Sequence, residues 1–361
     1  MQSRKILLGL GALLLTSGLT RVVIRAQAHA ATGSSDADLL TPEERRHLRN
    51  IRQLTFGGEN AEAYFSADDR QLIFQGNSQE GQCDQIYTMN VDGSNKRMVS
   101  TGWGRTTCAY YFPDGKHILY SSTHDASHDC PSRPDFSRGY VWKLYPEYEI
   151  YKGSPNGSHL ERLTRNEGYD AEATISRDGK RIVFTSFRNS DLDLYTMDAN
   201  GKNVRRLTNE LGYDGGAFFS ADGKKIVYRA YHPETPGEIE DYRELLRTGL
   251  LRPKRFELFV MDADGSHKQQ ITHNGAANFA PFFHPDGRRI IFASNMNDPG
   301  GRNFDLYLIN IDGTGLERIT DHPLFDAFPM FSSGGSRLVW GSNRNQKKKG
   351  ETNIFIADWV E

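Results

Sequence analysis

Ionisable side chains recur at matching places in a repeated strand pattern of this 361-residue chain. Glu62 and Glu172 occupy the same position in two repeats, and long carboxylates are uncommon in strands unless they face water or a ligand. Just after the second strand of three neighbouring repeats stand His124, Arg188 and His232. Such groups can hold a carboxylate or another anion through charge-assisted hydrogen bonds. The pattern predicts a ligand site with Arg188 at its centre.

A ring of polar residues marks the entrance of the first strand in the repeats. Such residues can line the mouth of a channel, or they can bond nearby backbone amides, as Asp and Asn commonly do at strand ends. Both interpretations stay open, and the three aspartates of the ring are candidates for ligand binding. The six positions are Asn60, Thr106, Asp170, Asp214, Asn278 and Asp326.

The sequence favours a binding protein over an enzyme. The chain has no Gly-x-Ser-x-Gly elbow of the hydrolase type, and we expect no catalytic residue. His124, His128 and Cys130 lie close together in one loop, but this spacing is weak evidence for a metal in an exported chain. We therefore expect neither a metal nor another cofactor.

The elements that position these residues are six copies of one pattern. Each copy has an aromatic-rich strand, a tight turn, a β-branched strand, a loop and a third strand, and a Leu/Ile-Thr strand follows. A period of about 45 residues with four strands is typical of propeller blades. The sequence predicts an all-β, six-bladed β-propeller with four-stranded blades. The turns are centred on Asp68-Asp69, Asp114-Gly115, Asp178-Gly179, Asp222-Gly223, Asp286-Gly287 and Gly334-Gly335.

The ring is expected to close through its N-terminal strand. The last copy ends without a fourth strand, whereas residues 51–55 form a strand that has no blade of its own. Pairing of the two would remove open sheet edges. The propeller domain therefore spans residues 51–361, and residues 31–50 form a linker with a short helix that starts with the capping box at Thr41.

The first thirty residues have the pattern of a secretory signal peptide. Arg4 and Lys5 precede an apolar stretch over residues 6–19, and Ala28-His29-Ala30 fits a signal-peptidase site. We expect a periplasmic or secreted monomer that begins near Ala31 and has no stable membrane span. An uncleaved anchor is the alternative.

The repeat strings Arg-Leu-Thr, Ser-x-Asp-Gly and Leu-Tyr-x-Met-Asp resemble those of the TolB-like, WD-related propellers of bacterial periplasmic proteins. The resemblance covers residues 51–359. It implies a non-catalytic protein-binding module of the cell envelope, with an envelope protein as partner. The alternative is a propeller that binds a peptide or an oligosaccharide and has lyase or hydrolase activity at the channel mouth. The linker leaves no room for the α/β domain that accompanies the propeller in TolB.

Two repeats carry long insertions between their second and third strands, at residues 125–141 and 233–255. Loops of this length in repeat proteins are commonly functional, and the topology places both on the face opposite the Asp-Gly turns. Within the second insertion, helical spacing predicts an amphipathic helix on the rim, carried by Ile239, Tyr242, Leu245 and Leu246.

Three cysteines in an exported chain predict one disulfide and one remaining thiol. Cys83 and Cys130 are the favoured pair because both lie at loop radius, whereas Cys108 on an innermost strand is expected to be buried. The formal net charge of −2 gives no sign of a nucleic-acid partner. We interpret the run Lys347-Lys348-Lys349 as a solvated loop.

Overall fold

The computed structural model describes residues 39–77 and 82–361. The predictions of a signal peptide and of a linker over residues 31–38 lie outside these residues. A short 3-10 turn at Glu44–Arg46 precedes the first strand. Nearly all other regular elements are antiparallel strands, and they form an all-β propeller fold.

The strands follow the repeats of the sequence. The first strand is β1 (Leu48–Gln53). The first repeat has β2 (Glu59–Phe65), β3 (Gln71–Asn77), β4 (Gln85–Asn90) and β5 (Arg97–Met98). The second has β6 (Thr106–Tyr111), β7 (Ile118–Ser122), a 3-10 turn (Phe136–Arg138), β8 (Trp142–Lys143), β9 (Glu149–Gly153) and β10 (Glu161–Arg162). The third has β11 (Asp170–Ile175), β12 (Arg181–Arg188), β13 (Asp191–Asp198) and β14 (Arg205–Arg206).

The second half continues the pattern. The fourth repeat has β15 (Tyr213–Phe219), β16 (Lys225–Tyr231), helix α1 (Pro236–Arg247), β17 (Leu250–Leu251), β18 (Glu257–Asp262) and β19 (Gln269–Gln270). The fifth has β20 (Asn278–Phe283), β21 (Arg289–Ser294), β22 (Asp305–Asn310) and β23 (Glu317–Arg318). The last has β24 (Asp326–Phe331), β25 (Arg337–Ser342) and β26 (Asn353–Trp359).

Four repeats, the first, second, fifth and last, each form a separate four-stranded antiparallel sheet. The strands of the third and fourth repeats belong to one eight-stranded sheet, whose two halves are joined by a single parallel pair, Leu192 with Tyr213. The predicted count of six blades therefore depends on whether this sheet is one unit or two.

The N-terminal strand β1 completes the last sheet, in the order β1-β26-β25-β24. Leu48 pairs with Trp359, and Gln53 pairs with Phe355. The closing strand that the sequence predicts is confirmed, but it begins at Leu48 rather than at residue 51. The helix predicted to follow Thr41 is also shorter than expected, because residue 48 already belongs to the sheet.

The segment that precedes β1 is also anchored to the last blade. Leu39 and Leu40 are buried in a cluster with Trp340. The Arg344 guanidinium, which is fully buried, donates to Glu44 at 2.9 Å and to Asp326 at 2.7 Å. The ring is thus closed by a backbone pairing and by a buried ion network. Among the described residues, no helix has the length and apolar character to cross a membrane.

Candidate functional site

The innermost strand of every repeat has a β-bulge at the same place. In β2, for example, the register with β3 shifts between Ala61 and Tyr64. The bulge residue has a φ between 47° and 60° in all six repeats, and a bulge re-aims the side chain that it carries. The six residues line one central cavity: Glu62, Cys108, Glu172, Gly216, Ala280 and Phe328.

The cavity has a volume of about 30 Å³. This is room for roughly two water molecules, whereas a ligand pocket typically measures about 300–1,000 Å³. An aromatic layer lies two residues further along the innermost strands. Tyr64 is 5.4 Å from Tyr110 and 5.5 Å from Phe218, and Phe218 is 5.4 Å from Phe282, measured between ring centroids. These rings narrow the channel on the side of the Asp-Gly turns.

Glu172 is held by donors from three strands. Its carboxylate accepts hydrogen bonds from Thr185 Oγ1 at 2.7 Å, from Tyr213 Oη at 2.8 Å and from the Gly216 amide at 2.9 Å. Arg229 in β16 pairs with it at 2.5 Å. These donors use most of the hydrogen-bond acceptor capacity of the Glu172 carboxylate. Little of it is therefore left for water or a ligand, which the sequence had predicted Glu172 to face.

Glu62 is less well compensated. Burial raises its pKa from 4.5 to about 7, and a hydrogen bond with the Cys108 thiol and the charge of Arg229 only partly oppose that effect. Burial likewise raises the pKa of Cys108, so its thiol stays protonated. The partial accessibility of Glu62 comes from the small cavity that it lines. Near neutral pH, Glu62 is a carboxyl group that can gain or lose a proton inside the ring.

Two glycines make the space for this cluster. A Cβ atom at Gly215 would lie 2.4 Å from Glu172 Oε2, and one at Gly216 would lie 2.7 Å from Arg229 Nη1. Both distances are shorter than any ordinary contact, so side chains at these positions would displace the ion pair. The Gly-Gly doublet inside β15 is thus required by the charged cluster beside it.

The two insertions and the residues that flank them meet over this cluster and form what we call the lid, residues 123–148 and 232–256. β8, which directly follows the first insertion, pairs with β17 of the second. Trp142 lies 5.4 Å from the Arg229 guanidinium and 5.5 Å from the Phe279 ring. Because Trp142 belongs to the second repeat, whereas Arg229 and Phe279 belong to the fourth and fifth, the lid reaches across the ring to the charged cluster.

The helix predicted in the second insertion is α1. Thr235 and Glu238 form a capping box at its start. Tyr242, Leu245 and Leu246 are buried as predicted, whereas Ile239 is only partly buried. The Tyr242 hydroxyl donates to Asp191 at 2.6 Å, which ties the helix to the third repeat.

The aspartates of the predicted polar ring are fully buried and pair with the cations that follow the second strand of their own repeat. Asp170 accepts from Arg188 at 2.9 Å, and Asp214 lies 3.0 Å from His232. Asp326 pairs with Arg344 in the same way. Burial alone would lower the pKa of His232, but the Asp214 carboxylate outweighs it and raises the pKa. These contacts support the structural interpretation of the ring and leave Arg188 engaged with a partner.

His124 lies away from the central cluster. It is buried against Tyr151, with Nδ1 2.7 Å from Ser122 Oγ, and burial lowers its pKa.

Cys130, of the same loop, is bonded to Cys83 at 2.00 Å, the pair favoured from the sequence, and Cys108 is a free thiol. Within the described part of the chain, no group of three or more His, Cys, Asp or Glu residues is arranged to hold a metal ion.

Arg229, Tyr213 and Trp142 were not among the residues singled out from the sequence. Arg229 could have been found, because it is a charged residue in the middle of an apolar strand. The same position in the other repeats carries Gln75, Ser121, Thr185, Ala293 and Gly341.

No family model matches the chain, and no curated protein matches it in sequence. Solved β-propeller structures do match. A TolB-assigned protein from Agrobacterium tumefaciens has a TM-score of 0.54 and 18% identity over 84% of this chain and 91% of that one. TolB from Acinetobacter baumannii has a TM-score of 0.55 and 18% identity over 83% of this chain and 63% of that one.

This chain has a TolB-like β-propeller fold. An oligogalacturonate lyase in complex with manganese also matches, with a TM-score of 0.50 and 13% identity over 86% of this chain and 93% of the lyase. At such identities the likeness concerns the fold alone. This TolB-like chain spans less than two thirds of the Acinetobacter protein.

Proposed function

We propose that this chain is an exported TolB-like propeller that binds a protein of the bacterial cell envelope through its lid and is not an enzyme. The small volume of the central cavity carries this proposal. A volume of about 30 Å³ next to Arg229 admits water but neither a peptide nor an oligosaccharide. Outside the cavity, the lid presents Phe136 and Tyr140 half exposed to solvent, as binding surfaces often do.

Export is part of the proposal. The signal-like pattern of residues 1–30 supports it, and so does the Cys83–Cys130 disulfide, because such bonds persist mainly in oxidising compartments. Mass spectrometry of the protein from its native host should give a mature monomer that begins near Ala31. A chain that keeps Met1 in the membrane fraction would indicate the uncleaved anchor, and one that keeps it in the cytosol would exclude export.

We further propose that the ring has six blades. Each half of the eight-stranded sheet is a four-stranded antiparallel meander like the four separate sheets, and only one residue pair joins the halves. Counting the halves as two blades gives every repeat of the sequence one blade.

Photo-cross-linking in the native host tests the role of the lid. A benzoylphenylalanine would replace Tyr140 or Glu240 on the lid, and Leu316 or Lys224 on the face of the Asp-Gly turns. Tyr140 and Leu316 form a matched pair because they are 51% and 49% exposed. We expect a discrete cross-linked protein from the lid positions alone.

Cross-links from Leu316 or Lys224 alone would place the partner on the opposite face. The absence of any cross-linked protein, together with cleavage of an oligosaccharide or a peptide by the purified chain, would favour the enzymatic alternative.

A further inference from the structure

Phe56 is the most exposed of the large hydrophobic side chains that the structure describes, at 68%. It follows Leu54-Thr55, at the end of the strand that closes the ring. In the other repeats the residue after the corresponding pair is polar: Thr101, Arg165, Asn209, His273 and Asp321. An apolar ring at this position is therefore not a requirement of the fold.

A run of three lysines lies beside the Phe56 loop. Lys347-Lys348-Lys349 is exposed in the loop between β25 and β26. The Thr352 amide of that loop donates to the Gly58 carbonyl at 3.1 Å, and the Asn345 side chain donates to Gln53 at 2.7 Å. Closure of the ring thus brings together an aromatic residue and a basic run that lie far apart in the sequence.

The lysine loop is ordered by its own contacts. Glu351 accepts a hydrogen bond from the Lys347 amide at 2.9 Å, and the Gly350 amide donates to the Gln346 side chain at 2.8 Å. Glu351 and the exposed Glu59, which begins β2, are the acids beside the two loops, so the three ammonium groups leave the patch with a net positive charge.

The chain enters the described part of the structure beside the same patch. The Leu39 carbonyl accepts from Arg344 Nη1 at 2.8 Å, and Arg344 lies just ahead of the lysine loop. The apolar stretch at residues 6–19 lies upstream of Leu39 in the sequence.

We propose that Phe56 and Lys347–Lys349 form a site that docks the propeller on an anionic lipid bilayer. The Phe56 ring would enter the boundary of headgroups and acyl chains, and the lysine ammonium groups would contact lipid phosphates. One ring and three cations suit reversible peripheral attachment rather than permanent anchoring. This inference goes beyond the proposed function, because it requires no protein partner.

Vesicle flotation of the chain 31–361 tests the site, since the described part of this chain holds the closed ring. The probes are phosphatidylcholine vesicles with and without about 30% phosphatidylglycerol. We expect binding to the anionic vesicles that is about tenfold tighter than to the neutral ones and that weakens as salt is raised. Phe56→Ser, or a change of the three lysines to glutamate, should each weaken binding about tenfold.

Leu316→Ser and Lys224→Glu are the matched controls, because they change one exposed apolar and one exposed basic residue on the opposite face. They should bind like the unchanged chain. The inference would be overturned by equal binding to anionic and neutral vesicles, or by unchanged binding of Phe56→Ser. It would also be overturned if the controls lost as much binding as the site variants. So would no binding to either vesicle. None of these outcomes bears on cross-linking at the lid, which tests the protein partner separately.

Discussion

Glu44 and Arg344 are 300 residues apart in the chain, and their side chains form an ion pair from which solvent is fully excluded. Arg344 also neutralises Asp326, so one guanidinium serves two buried carboxylates from the two ends of the propeller. Loss of one partner of a buried pair leaves charge that nothing compensates. The pair therefore couples the N-terminal segment to the stability of the whole ring.

Arg344→Met should lower the free energy of unfolding by about 3–5 kcal/mol, because two carboxylates would stay buried without a cation. Arg46→Met is the control, since Arg46 pairs with Glu317 at an exposed site, where such pairs contribute roughly 0–1 kcal/mol. Urea denaturation measures both. Equal losses in the two variants would show that the buried network does not hold the ring closed.

Arg188→Ala should also destabilise the protein, by roughly 2–3 kcal/mol, because it leaves the buried Asp170 unpaired. The double variant Arg188→Ala, Asp170→Asn should recover much of that loss, since it also removes the unpaired negative charge of Asp170. Thermal and urea unfolding of the three proteins provide the test. An unchanged melting temperature in Arg188→Ala would instead restore the interpretation of Arg188 as a ligand-binding residue.

The unfolding free energy should depend on pH through Glu62. Its folded pKa of about 7 lies above the ordinary value of 4.5, so the folded protein keeps a proton that the unfolded chain loses. Glu62 therefore makes stability fall as pH rises from about 4.5 through about 7, by roughly 3 kcal/mol. Burial also raises the pKa of Asp193 to about 7 and that of Asp305 to about 6, so Glu62→Gln should show a shallower decline than the unchanged protein.

Urea unfolding at about pH 5 and about pH 8 measures the difference. Glu240→Gln, on the exposed side of helix α1, is the control and should follow the unchanged protein. If Glu62→Gln lost stability with pH as steeply as the unchanged protein, Glu62 would have to be ionised already in the folded state.

The Cys108 thiol should react slowly with a thiol reagent until the protein unfolds, because it is only partly exposed, lines the small central cavity and has a raised pKa. Trp142→Ala should speed its labelling about tenfold or more by opening the side of the cavity next to Arg229. Trp103→Ala is the control, since Trp103 is an exposed tryptophan that stacks on His128, outside the cavity. Rapid labelling of the unchanged protein would show that the channel is open.

The strand pattern and the closing strand were predictable because both depend on local turns and on alternation within a repeat. Alignment of the repeats also located Glu62 and Glu172, since residues at equivalent positions lie at the same level along the axis of the ring. The partners of these residues were harder to foresee. Glu172 meets Arg229 of the next repeat, a contact set by the angle between neighbouring sheets rather than by any spacing along the chain.

The lid shows the same limit on a larger scale. The length of the connections identified both insertions, and the strand topology predicted the face that they occupy. The pairing of β8 with β17 could not be predicted in this way, because it requires two loops from different repeats to meet. Likewise, Arg188 was placed correctly in its repeat, yet its proximity to Asp170 depends on how the first two strands pair.

The six bulges have a consequence for how such a protein can change. Their backbone geometry is nearly the same, yet the residues that occupy them range from glycine to phenylalanine. The blade therefore tolerates very different side chains at this one place, apart from the modest strain of a left-handed residue. The interior therefore offers six equivalent positions at which acidity, polarity and free volume can differ, provided that a neighbouring side chain, such as Arg229 beside Gly216, changes with them.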